Sequence, residues 1–428
     1  MQLEYRSNTA LGKATRITII VLLSIGIAAC DFFSDSRGPY LQSPSSTSII
    51  IKWRTGKALP SQVRYGTISG KWDQLVETKA NTSNHEVLID DLEPATRYYY
   101  KVSGLDEEEF YFRTAPTEGA ARPVRVWVLG DSGSGDERAE KVRDAYYRFN
   151  KGPAADLILT LGDAAYDLGS DADYQEAFFE MYPDTLATTP VISAPGNHDF
   201  ETDMGAPYFE IFSLPTDGKT GGLASGTESY YSFNFANIHF VSLDTTASNR
   251  LPDSEMYRWL VADLKVNRQD WTVVFFHHPL YSKGRHDSDD NGSAMAELRE
   301  HYTPIFETYG VDLVFSGHNH SYERSFPLFG HRGKADTLLE SMKTDSGDGR
   351  IDGDGAYRKT GADDGVIYIV AGSAGKAHTY PLNHPANYIS MAELGSLVLD
   401  FNGNKLNATF VSPNPQAVDY FTVVKAND

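Results

Sequence analysis

The 428-residue sequence predicts an α/β domain preceded by a small all-β domain. Two patterns carry the fold class. From Pro39 to Ala115 the reading is all-β, with apolar residues recurring at every second position. From residue 124 onward, short apolar runs alternate with amphipathic helical segments, as strands do when helices cover their sheet. A third observation concerns function. Five of those runs end in short turns bearing Asp, Asn, His or Tyr, and the carboxyl ends of strands in such sheets form the ligand crevice.

In chain order, Arg6, Lys13 and Arg16 precede the apolar run ITIIVLLSIGI (17–27). That run is too short for a comfortable membrane span and suits the hydrophobic part of a signal. It closes on IAAC, whose Cys30 is the only cysteine in the chain. The arrangement resembles a bacterial lipoprotein signal, so 1–29 is expected to be removed and Cys30 lipidated. The protein would then be exported and held to a membrane by its lipid. An ordinary signal peptide or an uncleaved anchor are the alternatives. A lone cysteine excludes an internal disulfide framework and a multi-cysteine zinc site. Residues 30–38 read as a tether.

Within 39–115, SIIIKWRT places Ile49, Ile51 and Trp53 on one strand face. The segment 91–104 reads as a turn and then a strand with Tyr98, Tyr100 and Val102 on one side. Its Leu92, Pro94, Thr96 and Tyr98 resemble the tyrosine corner of fibronectin type III domains, which implies a small sandwich of that kind. A linker, 114–123, leads to the α/β domain, 120–428. Strands are expected at 124–129, 156–161, 190–194, 237–243, 271–276, 311–315 and 365–370. Helices are expected at 254–268, where Met256, Leu260 and Leu264 share a face, and at 294–310, kinked at Pro304 and stopped by Gly310. Asn402-Gly403 marks a hairpin turn. The Gly/Asp-rich stretch 344–365 reads as a solvated insertion; its acids miss EF-hand spacing, leaving calcium as the lesser alternative.

Hydrophobic residues make up 41% and charged residues 22%, and the formal net charge is −20. No basic stripe alternates with aromatics, which argues against nucleic-acid binding, where Lys and Arg neutralise phosphates. An anionic substrate would need positive charge supplied locally, for example by metal.

The strand-end turns supply suitable donors. VLGDSG carries Asp131, TLGDAAY carries Asp163 and Tyr166, and APGNHD carries Asn197, His198 and Asp199. VVFFHHP carries His277, and FSGHNH carries His318 and His320. Carboxylates with imidazoles and no thiolate suit iron, manganese or zinc. The donors exceed what one tetrahedral ion needs, so two ions bridged by one carboxylate are expected. Each motif has a plainer reading, since GDSG is a common turn and paired histidines occur in turns. The ordered set is hard to explain as packing.

That set, DSG (131–133), GDAAY (162–166), GNHD (196–199), VFFH (274–277) and GHNH (317–320), resembles the purple acid phosphatases, within the calcineurin-like metallophosphoesterases. The resemblance implies a two-sheet sandwich flanked by helices, with a fibronectin-like domain in front. It also answers why a tyrosine follows Asp163. Most metallophosphoesterases carry Asp-x-His in the first motif, Gly133 stands at the histidine position, and the resemblance makes Tyr166 the substitute ligand, a hard phenolate favouring Fe³⁺. The first ion would be held by Asp131, Asp163, Tyr166 and His320. A divalent ion (Fe, Zn or Mn) would be held by Asp163, Asn197, His277 and His318. The implied activity is release of phosphate from a small phosphorylated substrate by an in-line, metal-activated hydroxide. His198 would act at the phosphate with Asp199 fixing its ring, and His286 would face substrate. A phosphodiesterase on the same site and a non-catalytic surface-binding protein are the other readings.

Overall fold

The computed structural model describes residues 36–105, 108–151 and 155–426. The expected signal, Cys30 and most of the tether lie outside them.

Residues 37–113 form an antiparallel five-stranded sheet. The long strand Ile49–Gly66 pairs first with Arg37–Gln42 and, past irregular steps after Arg54 and Pro60, with Arg97–Val102. Gln74–Ile89 runs beside it for most of its length. The expected sandwich is therefore built from one continuous sheet. Its two parts share a core in which Leu41, Ile49, Ile51 and Trp53 meet Val63, Tyr100, Val102 and Phe112. The tyrosine corner is present: the Tyr98 hydroxyl accepts the Glu93 N–H at 2.9 Å, satisfying a turn donor that would otherwise lack a partner. The sheet docks on the remainder of the chain through side chains reaching backbone. Gln42 donates to the Val191 carbonyl (2.9 Å) and Tyr100 to the Ala187 carbonyl (2.7 Å). Arg54 donates to both oxygens of Asp171.

Two seven-stranded mixed sheets make the larger part. The first runs, edge to edge, through Tyr357–Lys359, Asp419–Lys425, Lys405–Val411, Ser396–Asn402, Val124–Leu129, Leu157–Thr160 and Val191–Ser193. The second runs through Asn387–Met391, Tyr322–Ser325, Ile367–Ala371, Leu313–Ser316, Trp271–Phe275, Ile238–Ser242 and Tyr231–Phe235. The last three strands of the first sheet are parallel, as are the four from Ile367–Ala371 to Ile238–Ser242 in the second. Alternation along a strand assigns each face. Val273 and Phe275 point to the core between the sheets, while Val274 and Phe276 meet Leu260, Leu298 and Phe306 of the covering helices. Burial on both faces is why these strands read as unbroken apolar runs.

The helices Glu255–Val266 and Ala294–Thr308 start at Ser254 and Ser293, whose side chains accept the N–H groups of Tyr257 and Ala296. The second runs through Pro304 as one element, and Gly310 behind it takes the left-handed φ of 65° that ends it. Residues 344–365 differ from expectation. Tyr357–Lys359 is an edge strand parallel to Asp419–Lys425, and Asp345 and Asp348 accept backbone N–H groups of their own turns. Those acids cap turns.

Candidate metal centre

The three parallel strands that begin at Val124–Leu129 in the first sheet and the four parallel strands of the second deliver their carboxyl ends to one edge of the sandwich. Three residues there hold left-handed backbone: Asp131 (φ 55°), Asp163 (φ 52°) and His318 (φ 66°). Non-glycine residues adopt it only where surroundings enforce it. Here the turns fasten one another. The Asp131 N–H donates to the Gly162 carbonyl (3.1 Å), the His318 N–H to Asp131 Oδ2 (2.8 Å) and the His198 N–H to Asp163 Oδ1 (2.9 Å). Gly196 permits the closest approach, since a Cβ there would lie 2.2 Å from Asp163 Oδ1.

The side chains converge in two triangles. Asp131 Oδ1, Tyr166 Oη and His320 Nε2 are separated by 3.1, 3.1 and 3.4 Å. Asn197 Oδ1, His277 Nε2 and His318 Nδ1 are separated by 3.0, 3.0 and 3.2 Å. Asp163 Oδ2 lies 3.4 Å from His277 Nε2. Two donors at right angles on an ion with bonds near 2.1 Å sit about 3.0 Å apart, so both triangles have the edges of a coordination shell. Tautomers support the same reading. His277 Nδ1 faces the Leu161 carbonyl at 2.9 Å, so that nitrogen carries a proton, and once Nε2 gives up its own proton its lone pair points at Asn197 and His318. Asp131, Asp163 and His277 are buried and can jointly hold an ion. The donor set fits two ions.

Electrostatics follow burial and this crowding. Burial would lower the His277 pKa, yet the Asp163 carboxylate overrides it and raises it to about 9. Asp163 in turn is held well below the ordinary carboxylate range, His277 and the His198 N–H outweighing its burial. A metal ion would replace the proton this pair otherwise shares. Burial and then the charges of Asp131 and Asp163 push the Tyr166 phenol far above its usual value, so only a bound cation makes phenolate favourable there.

Gly133 explains how Tyr166 arrives. A Cβ at 133 would fall 2.5 Å from the Ala165 nitrogen, so a side chain there would displace the 163–166 turn. The turn is bonded to this glycine twice, Gly133 N–H to the Asp163 carbonyl and Tyr166 N–H to the Gly133 carbonyl, each at 3.0 Å.

Asp199 requires a correction. It does not orient the His198 ring. Its carboxylate is fully buried and accepts the N–H groups of Asp163 (2.9 Å) and Gly196 (2.8 Å) and the Tyr174 hydroxyl (2.5 Å). Burial, then the Asp163 charge, raises its pKa to about 6. The residue clamps two metal-site turns together. His198 is held instead through Nδ1 by the Asp167 carbonyl at 2.6 Å. His286 packs tilted against His318 with ring centroids 4.0 Å apart, and His278 backs His318 at 4.5 Å while bonding Thr245. His239 is structural, tied to Asn234 and Asp263. Sequence reasoning passed over Glu323, Lys376 and His378. The last two follow the strand Ile367–Ala371, so the strand-end rule that found the other motifs also points there.

The family models agree with this geometry. The calcineurin-like phosphoesterase model matches residues 124–322, and the model for the purple acid phosphatase N-terminal domain matches residues 37–114. The chain belongs to the purple acid phosphatase family. Purple acid phosphatase 18 of Arabidopsis thaliana is 30% identical over 308 residues, covering 67% of this chain and 65% of that protein. The Fe(3+)-Zn(2+) purple acid phosphatase 12 of the same plant is 30% identical, covering 65% of this chain and 62% of its own. The chain thus spans a little under two thirds of the length of these relatives. A purple acid phosphatase from yellow lupin seeds shares the fold with a TM-score of 0.71 at 19% identity, over 91% of this chain and 75% of that one.

Proposed function

We propose that this protein is a binuclear-metal phosphoric monoester hydrolase. The observation that carries the reading is the pair of donor triangles meeting at Asp163, drawn from five strand ends. Asp131, Asp163, Tyr166 and His320 would hold Fe³⁺; Asp163, Asn197, His277 and His318 would hold a divalent Fe, Zn or Mn. Bound ions would supply Lewis-acid charge to the phosphate and a water of lowered pKa. The protein's own groups do the rest. His198 keeps Nδ1 on the Asp167 carbonyl, leaving Nε2 to face the phosphate and protonate the departing alkoxide as the phosphorus–oxygen bond breaks. His286, held against His318, lines the substrate side. The Fe(3+)-Zn(2+) relative supports the metal pair.

Turnover of an aryl phosphate monoester against the matching bis-aryl diester tests the reading. Preference for the monoester supports it, and preference for the diester moves the activity to phosphodiesterase. Asp163→Asn should reduce turnover by more than about a hundredfold, since even indirect supports of metal ligands cost ten- to a hundredfold. Near-native activity in that variant would refute the two-ion assignment.

The same reading includes export with a lipid anchor on Cys30, supported by the basic residues and apolar run before it. Cys30→Ser should abolish fatty-acid labelling and release the protein from the membrane fraction.

A further inference from the structure

We propose that Lys376 tunes Tyr166 as a ligand by holding its ammonium over the face of the phenol ring. The inference rests on the reading of Tyr166 as a ferric ligand. Lys376 Nζ lies 3.5 Å from the Tyr166 ring centroid, well inside the range at which a cation and an aromatic face attract. The lysine is partly buried, and among the described residues its ammonium makes no hydrogen bond or ion pair. The ring face is its contact.

Its position is fixed by the backbone that builds the metal site. The loop after Ile367–Ala371 is bonded on both sides. Ala374 N–H donates to the Gly130 carbonyl (3.1 Å), and His378 N–H donates to the His320 carbonyl (3.0 Å). Gly375 packs so closely that a Cβ would lie 2.7 Å from the Asp131 carbonyl oxygen. Tyr166 is bonded to Gly133 of that same turn. Lysine and tyrosine therefore hang from one framework. Burial lowers the basicity of Lys376, as does Arg138, while Asp167, Asp131 and Asp163 favour its charged form.

The electronic consequence has a sign. A cation over the ring lowers the energy of the filled phenolate orbital. It offsets the two carboxylates that disfavour negative charge on Tyr166, and it makes the tyrosine a weaker donor to iron. Charge transfer from ring to ferric ion then needs more energy, which places the visible band at shorter wavelength.

The test is the visible spectrum of the full-length iron-loaded protein as native, Lys376→Met, Lys376→Gln and Lys376→Arg forms, with iron content measured for each. The neutral variants should move the band to longer wavelength by roughly 10 nm or more, and Arg should keep it near the native position. An unchanged band in a neutral variant with full iron content overturns the inference, as does a shift to shorter wavelength. So does a loss of kcat/KM with the band unmoved, which would make Lys376 a substrate-binding group. A native protein that binds iron without any visible band removes the Tyr166 reading itself, a separate failure.

Discussion

Asp199 and Asp163 are both buried carboxylates at strand ends, yet their partners assign them opposite tasks. Asp163 directs an oxygen at His277, whereas Asp199 spends both oxygens on two N–H groups and the Tyr174 hydroxyl. Replacing Asp199 with Ala leaves those buried donors unsatisfied and frees the Asp163 turn. Metal affinity should fall ten- to a hundredfold, measured by competition with a chelator, while His286→Ala should leave metal affinity within about threefold and act on KM. Equal metal loss in both variants would contradict this division. The donors themselves were legible because each sits in a short polar turn after an apolar run, a place where packing offers little other use for them. The orientation of Asp199 was not, because adjacency to His198 in sequence suggested a contact that the turn geometry directs elsewhere. Lys376 also follows a strand end, but a lysine is not a metal donor, and its place over Tyr166 is visible only once Gly375 and Gly130 are seen to pin the loop.

At the scale of elements, the strand Tyr322–Ser325 supports the site from below. Glu323 is fully buried and accepts the Ser282 hydroxyl (2.5 Å), the Asn319 amide (3.0 Å) and the Asn387 amide (2.7 Å). Asn319 lies between His318 and His320, and Ser282 begins the loop that carries His286. One carboxyl group thus ties two motifs together. Burial raises its pKa from 4.5 to about 7 against the hydrogen bonds that lower it. A raised carboxyl pKa means the folded state binds a proton that the unfolded chain has released. Between pH 4.5 and 7 stability should therefore fall as pH rises, by on the order of 3 kcal/mol across that window. Glu323→Gln should flatten this slope in urea melts taken at pH 4.5 and 7.5, and an unchanged slope would assign it to another group. This strand was not expected from sequence, since YERS alternates a buried Tyr with a buried Glu that only its partners make intelligible. The doubly covered strands, such as Trp271–Phe275, were visible because both faces demand apolar residues. The helix Glu255–Val266 was visible from the spacing of Met256, Leu260 and Leu264, whereas the helix Glu137–Phe149 was not read. The N-terminal strands alternated clearly, but the continuity of their sheet depends on the irregular steps of Ile49–Gly66, which alternation does not encode.

At the scale of the whole molecule, the two large sheets are joined, among the described residues, by apolar packing and by buried ion pairs, Lys359 with Asp312 and Arg324 with Asp419. Arg324 of the second sheet donates to both oxygens of Asp419 in the first, at 2.7 and 2.9 Å, and also reaches the Tyr357 hydroxyl. Neither charged side chain is exposed. Removing the arginine leaves the buried Asp419 with only the longer Arg350 contact (3.3 Å) and the Tyr322 hydroxyl (2.8 Å), so Arg324→Met should destabilise the protein by about 3 kcal/mol in denaturant titration, while Arg324→Met with Asp419→Leu should recover part of that loss. No recovery would mean that the arginine acts through its stacking on Tyr388 and Phe421 more than through charge.

The donors at the edge of the sandwich come from both sheets as well. Asp131, Asp163 and Asn197 leave the first, and His277, His318 and His320 leave the second. Ions seated there would rivet the two halves across the open end of the core, so thermal endurance becomes a gauge of occupancy. At free metal a hundred times the dissociation constant the gain is about 2.7 kcal/mol. Stripping the metals with a chelator should then lower the melting midpoint by roughly 3 °C, and re-addition should restore it. An unmoved midpoint would mean the halves hold together without the rivet. If the midpoint moves, metal scarcity costs the organism twice, first in turnover and then in the lifetime of the polypeptide.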